Sequence, residues 1–387
     1  MSFAGIGNRT CVPGEPVQPS PHLLAMLKYV DAPPLPVKPT WEISLKILFY
    51  VLSFVVDVVG NVIVILIIYL NKRMRSTTNI LILNLAISDI MVGLFCMWVH
   101  LGNQINANWP FGPFICKAST FTQVFAVTSS ILTLTVISIE RFFAIVFPLW
   151  GKMTQCTMGT SIAVSWLVSA AIAAPQLFVR KVIRYEFRNR DEVFCTEIWP
   201  KFYKNAACVS HEPGKMTYYV IEGIVMYVIP VVIMIGAYTV IAIKLLLRKA
   251  PGNNMRSNSS SQDRTRKKVI KMLVVVLVVF VLCWTPQQYF LLWEVFRSHT
   301  TKTSKIVPTI KYIAVYFAYL NSAINPILYA GFNENFRRGF TEAFKCSLWR
   351  KKNRVTPGPA ERSVVTAFDA SKGGGDSSAG VTLHSHA

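Results

Sequence analysis

The side chains best suited to chemistry in this sequence stand where polar groups are expensive. Asp89 interrupts a long apolar stretch, and Asn61, Ser130, Asn321, Ser322 and Asn325 interrupt three others. Ionisable and amide side chains in such surroundings are functional candidates, because burial without a partner is costly. One carboxylate with several neutral oxygens at similar depth suits a hydrated monovalent cation. The same inventory suits a purely structural hydrogen-bond network, since buried polar groups must find partners in any case. No nucleophile with an adjacent base and no metal-ligand spacing of His or Cys is present, so no enzyme and no catalytic cofactor is expected.

The elements that must position these groups are seven apolar runs: about 43–70, 80–101, 116–148, 160–179, 216–247, 269–296 and 306–332. The third is central to the organisation. As a helix, the path from Cys116 to Arg141 is about 37 Å long. That exceeds a hydrocarbon core of about 30 Å and puts a thiol near one membrane face and the Glu140-Arg141 pair near the other. Composition agrees: 52% of the 387 residues are hydrophobic and only 15% charged, against about a quarter charged in soluble domains. The formal charge of +21 would fit nucleic-acid binding, but the apolar runs make a membrane protein the expectation and exclude a nucleic-acid partner. Pro175, Pro230, Pro286 and Pro326 fall within runs and mark places where helices can bend.

The basic residues concentrate on alternate connections: Lys72, Arg73 and Arg75, then Lys152, then 264–268, then Arg337, Arg338 and 350–352. The positive side is the cytoplasmic one, so the amino terminus is expected outside. The expected divisions are a disordered extracellular segment 1–42, a seven-helix bundle 43–332, an amphipathic juxtamembrane helix 333–347 and a disordered cytoplasmic tail 348–387. No charged start with an apolar core occurs at the amino terminus, so no cleaved signal peptide is expected. Asn8 heads a glycosylation sequon, and Cys346 is a candidate for palmitoylation beside membrane lipids. Ser363, Thr366, Ser371, Ser377 and Ser378 lie open to kinases in the tail. Cys116 and Cys195 both fall outside, where a bridge would tie the long second outer loop to the third helix. Cys11 and Cys208 are also outside; they could form a second bridge or remain free thiols.

An ordered set of short motifs then carries a resemblance: Gly60-Asn61, Asn84-Leu85-Ala86 with Asp89, Glu140-Arg141-Phe142, Trp166, Pro230 with Tyr238, Cys283-Trp284-Thr285-Pro286, and Asn325-Pro326-Ile327-Leu328-Tyr329. Across residues 45–346 the chain resembles rhodopsin-like (class A) G-protein-coupled receptors. Phe142 departs from the usual Tyr. Arg266 stands where some members carry an acid, so a lock between that position and Arg141 is not available. The resemblance implies an all-α membrane protein, a seven-transmembrane helix bundle with a short amphipathic eighth helix, in the plasma membrane. It implies that Arg141 is held by Glu140 at rest and meets a heterotrimeric G protein when released. Phe280 and Trp284 would form a packing switch, and Tyr238, Asn325, Pro326 and Tyr329 would stabilise the active form. Asp89, Ser130, Asn321 and Asn325 match the family's allosteric sodium site. Receptor kinases and arrestin would act on the tail.

For the ligand, Gln123 stands where amine receptors carry an acid, and Tyr319 where opsins carry the retinal lysine. Residues 79–84, 94–97, 109–112, 121–123 and 195–200 are similar to receptors for RFamide-, RYamide- and orexin-like peptides; residues 140–146 also resemble the trissin type. The neuropeptide branch is therefore implied, with residues 180–197 forming a β-hairpin lid. Gln123, Gln287 and Gln288 offer donors and acceptors for a carboxamide or peptide backbone. Glu197, Glu222 and Glu294 could each pair with a ligand Arg or Lys, or be solvated or internally paired. Trp199, Trp284 and Tyr319 complete the expected ligand set. A lipid or other small molecule is the alternative ligand. A transporter or channel would want pore-lining charges or an inverted repeat, and neither is evident.

Overall fold

The computed structural model describes residues 26, 28–34, 38–148, 153–203, 210–246, 256–297, 304 and 306–345, with the backbone alone at 210, 245–246, 256–270 and 272–273. Asn8, Cys11, Cys208, Cys346, the tail serines and threonine and the Arg266 side chain lie outside the described residues. Seven helices are long and apolar enough to cross a membrane: α1 Thr40–Leu70, α2 Thr77–Ile105, α3 Gly112–Val146, α4 Gln155–Val179, α5 Pro213–Lys244, the Val274–Phe296 part of α6 Arg256–Phe296, and α7 Val307–Phe332. They fold within the first of two compact units, residues 1–340. An eighth helix, α8 Glu334–Phe344, begins there, with Phe336 and Gly339 buried. In the second unit the described residues form its last turn, where the Lys345 amide donates to the Thr341 carbonyl.

Local chemistry sets the helix starts. Ser76 caps α2 by accepting from the Asn79 amide at 3.3 Å, and Thr154 caps α4 by accepting from Thr157 at 3.1 Å; each satisfies one of the amides a helix start leaves without an intrahelical acceptor. Proline opens α3, α5 and α7, where its missing N–H costs nothing. Gly112, at φ 73°, makes the left-handed entry to α3 that a side chain would resist. The four expected prolines lie inside continuous helices. A π-helical turn at Ile224–Val228 precedes Pro230, whose lost hydrogen bond falls at the Met226 carbonyl within that turn. A second π turn, Gly93–Met97 in α2, contains no proline and has no counterpart among the sequence expectations.

The bundle is apolar outside, and its largely apolar core also carries buried polar side chains. Leu167, Leu282 and Val232 are 71%, 66% and 64% exposed, whereas Asp57, Asn61, Ser88, Asp89 and Ser129 are completely buried. Only an apolar surrounding makes that arrangement favourable. Helix α3 packs against α2, α4 and α5 and against the first hairpin strand. Asn84 of α2 joins three helices: its amide donates to Thr133 of α3 at 2.8 Å, and its oxygen accepts from Trp166 of α4 at 2.8 Å. Helices α1 and α7 meet at Gly60, where an added Cβ would lie 2.8 Å from Pro326.

Strands β1 Arg180–Glu186 and β2 Asp191–Glu197 pair antiparallel from Arg180↔Glu197 to Glu186↔Asp191. Cys195 of β2 is disulfide-bonded to Cys116 of α3, with Cα atoms 5.6 Å apart. The amino-terminal expectation needs correction. Helix α1 starts at Thr40, and residues 28–34 lie along the hairpin tip. Lys28 pairs with Glu186 at 2.8 Å, Asp31 accepts from Arg188 Nε at 2.9 Å, and the Ala32 amide donates to Asn189 at 2.8 Å. Charge matching with the loop was invisible to a reading based on proline content.

Replacing Cys195 by Ala removes a cross-link spanning 79 residues, of a kind that contributes about 2–4 kcal/mol. The thermal midpoint of the purified variant is expected to fall well below that of wild type; an unchanged midpoint would show that the bridge does not hold the hairpin.

Candidate functional site

Three buried regions stack along α3. The first is a cavity of about 340 Å³ beneath the hairpin, lined from α3, α4, the hairpin, α5, α6 and α7. Gln123, Glu197, Glu222, Trp284, Gln287, Gln288, Glu294 and Tyr319 all line it. Trp199 does not: its ring lies tilted against Tyr218, centroids 5.4 Å apart, and its Nε1–H donates to Glu197 at 3.3 Å. It packs against Gly214 at the start of α5 and serves the wall behind the cavity.

Two of the three acids expected to face a ligand are already paired. Glu197 accepts from Lys215 at 2.6 Å and from the Tyr219 hydroxyl at 2.5 Å, with Arg180 at 3.7 Å. Burial pushes the Glu197 carboxyl up, but Arg180, Lys215 and Tyr219 together outweigh it and hold the group below its ordinary value. Glu294 pairs with Lys311 of α7. Glu222 is 7% exposed, and its Oε2 has no hydrogen-bond partner. Arg180, Lys215 and Lys311 line the same cavity. Lys215 and Lys311 were not among the expected site residues, because pairing across elements is set by helix rotation rather than by spacing along the chain.

Below lies the Asp89 network. Ser130 of α3 donates to one Asp89 oxygen at 3.1 Å and Asn325 of α7 to the other at 2.7 Å. Asn321 and Ser322 are buried on α7. A second carboxylate escaped the sequence reading. Asp57 of α1 is fully buried and accepts from the Asn61 amide at 2.7 Å, and the same amide reaches the Ser322 carbonyl at 3.4 Å. Asp57 Oδ2 and Asn61 Oδ1 have no partner. The signal was available, because Asp57 interrupts an apolar run just as Asp89 does. At Gly93 an added Cβ would lie 2.6 Å from Asp57 Oδ2, so the π turn of α2 and the acid of α1 are fitted to each other.

Between cavity and network, Trp284 sits over Phe280 with ring centroids 6.4 Å apart, and Phe280 is completely buried. At the far end Arg141 donates to Glu140 through Nε at 2.5 Å and through an Nη at 2.7 Å, and also to Thr78 of α2. Thr78 in turn donates to Glu140 at 3.1 Å. A second cavity of about 270 Å³ opens there, lined by Thr78, Arg141, Tyr238, Tyr329 and Asn333 among others. Tyr238 and Tyr329 are 5% and 2% exposed, and the Tyr329 hydroxyl has no partner.

Comparison with known proteins settles the fold's affiliation. The family described as 7 transmembrane receptor (rhodopsin family) matches residues 60–329. The chain belongs to that family. Among curated relatives it is 33% identical to a QRFP-like peptide receptor of Branchiostoma floridae, over 81% of this chain and 80% of that protein. It is 33% identical to neuropeptide FF receptor 2 of Mus musculus, over 82% and 76%, and 32% identical to the neuromedin-K receptor of Mus musculus, over 80% and 65%. This rhodopsin-family receptor thus carries its cavity, its Asp89 network and its Glu140–Arg141–Thr78 cluster on one central helix and the helices around it.

The contact between Asp57 and Gly93 can be tested in the purified receptor. Gly93→Ala is expected to cost about 1–3 kcal/mol by overpacking, read as a lower thermal midpoint. In an Asp57→Ala background most of that cost should vanish. Additive costs would show that the two residues do not meet.

Proposed function

We propose that this chain is a plasma-membrane receptor, amino terminus outside, that is activated by an extracellular neuropeptide and passes the signal to a heterotrimeric G protein. The observation that carries the reading is the cavity beneath the hairpin, with its three basic and three acidic side chains and its glutamines. Such a lining suits a peptide with backbone amides and charged side chains better than a lipid. The relatives named as peptide and neuropeptide receptors support the same class.

The mechanism is a two-state one, in which a ligand acts only through its different affinity for two helix arrangements. A peptide seated on Gln123, Trp284 and Tyr319 bears on the Trp284–Phe280 pair and hence on α6. Movement of α6 changes the packing around Tyr238 and Tyr329 and frees Arg141 from Glu140 and Thr78. The released guanidinium, with Asn325, Pro326 and Tyr329 of α7 holding the new arrangement, meets the G protein. Receptor kinases and arrestin would act on residues 348–387, and membrane lipids would hold α8.

The Asp89 cluster fits a monovalent cation. Its donors are hard oxygens, and among the described residues no basic side chain forms an ion pair with Asp89 or Asp57. Asp89, Ser130, Asn321 and Asn325 would hold sodium, and a bound cation there would offset the carboxylate charge.

A cell-based screen of amidated and disulfide-bonded neuropeptides, reading calcium and cyclic AMP together, tests the function. A sub-micromolar response lost on Gln123→Ala, with surface expression retained, is expected; silence across the peptides at confirmed surface expression would favour a lipid or other small ligand. Separately, agonist affinity should depend on sodium concentration in the wild type but not in Asp89→Asn. An unchanged sodium dependence in the variant would remove the cation from the account.

A further inference from the structure

A hydrogen bond joining α5 to α6 lies on the outside of the bundle. The hydroxyl of Tyr227, in the π turn of α5, stands 2.5 Å from Thr285 Oγ1 on α6. Thr285 gives its one hydroxyl hydrogen to the Val281 carbonyl, 2.6 Å away in its own helix, so Tyr227 is the donor between the helices. Thr285 is exposed, and so are Leu282 and Tyr289, which share its face of α6. That face meets hydrocarbon, where no water replaces a lost partner.

Both partners stand where their helices are irregular. Tyr227 falls in the π turn that precedes Pro230, and Thr285 immediately precedes Pro286. A threonine bonded back to the carbonyl four residues earlier tends to bend a helix, and Pro286 leaves the Leu282 carbonyl without its usual amide. Residues 281–286 are therefore where α6 bends most readily, and the Tyr227 hydroxyl fixes a side chain there. The Tyr227 ring holds a second point: it stacks on the fully buried Phe280, centroids 6.3 Å apart. Phe280 and Thr285 are five residues and so about 140° apart around α6. One α5 side chain that touches both resists rotation of α6 in either sense.

We propose that Tyr227 and Thr285 form a latch that holds α6 in the resting arrangement and opens on activation, which makes Tyr227 a positioning residue for signal transmission. The inference rests on the two-state reading given above. Arg141 is held by Glu140 in the same structure, so the closed latch and the resting cluster belong to one arrangement. A contact biases a two-state equilibrium only by the difference it makes between the states. Movement of α6 parts the two hydroxyls, and a hydrogen bond of this kind in a bilayer favours the state that keeps it by about three- to tenfold.

Purified full-length receptor in lipid nanodiscs, without ligand, supplies two readouts. A fluorine-NMR probe at Lys271, on the part of α6 leading to Val276 and the Arg141 cavity, reports the ratio of the two α6 arrangements. Nucleotide exchange on added G protein reports signalling. Tyr227→Phe and Thr285→Val are each expected to raise the active-to-resting ratio and the basal exchange rate about three- to tenfold. The double variant should go no further than the larger single effect, and Thr285→Ser, which keeps the hydroxyl, should behave as wild type. A side chain that merely packs would lower the thermal midpoint and leave the ratio alone. An unchanged ratio in Tyr227→Phe, or a double variant whose effect is the product of the single ones, would overturn the latch and leave the receptor reading standing. A raised ratio with exchange unchanged would uphold the latch and overturn the G-protein step.

Discussion

The Asp89 carboxylate is the interaction on which the rest of the bundle turns. In a medium without water, a charge-bearing side chain must be satisfied by protein or by a bound ion, and Asp89 of α2 is satisfied from two neighbouring helices at once. Ser130 of α3 and Asn325 of α7 serve its two oxygens, so the carboxylate of α2 fixes the relative depth and rotation of all three. Those helices carry the cavity wall at one end and Arg141 and Tyr329 at the other. A change of packing at either end must therefore be accommodated at this network, which gives the two ends a physical connection without any need for a single path of contacts.

The polar interior and apolar exterior divide the work. Exposed leucines and valines place the bundle in the bilayer, while hydrogen bonds such as those of Asn84 to Thr133 and Trp166 fix helix rotation. Close approaches at Gly60 and Gly93 bring helices near enough for those bonds to form. The hairpin end is held differently: the Cys116–Cys195 bridge anchors β2 covalently, and the ion pairs of Lys28, Asp31 and their partners hold its tip. Such exposed pairs contribute little individually, so the anchoring rests mainly on the disulfide.

Much of this was legible in the sequence, for reasons that differ by residue. Seven spans follow from run length, because a helix crossing a bilayer has no alternative way to satisfy its backbone. The hairpin at 180–197 and the residues of the Arg141 end followed from the resemblance, as did most of the cavity lining. Glu197 and Glu294 were read as open either to a ligand or to internal pairing, and in the structure they pair with Lys215 and Lys311, which approach from other elements. Trp199 was placed in the pocket and instead packs against Tyr218 outside its lining. The π turn at 93–97 left no mark in composition; it re-aims the residues around Gly93 and creates the fit to Asp57. Asp57 itself was visible as a lone carboxylate in an apolar run and should have been weighed with Asp89.

The central claim is that occupancy of the hairpin-end cavity changes what the Arg141 end presents. It is tested most directly by guanine-nucleotide exchange on purified heterotrimeric G protein, with the receptor in lipid nanodiscs and an activating peptide added. The account predicts that peptide accelerates exchange through the wild-type receptor and that Arg141→Ala, which still binds the peptide, leaves exchange at its basal rate. Peptide-driven exchange that is undiminished in Arg141→Ala would contradict it.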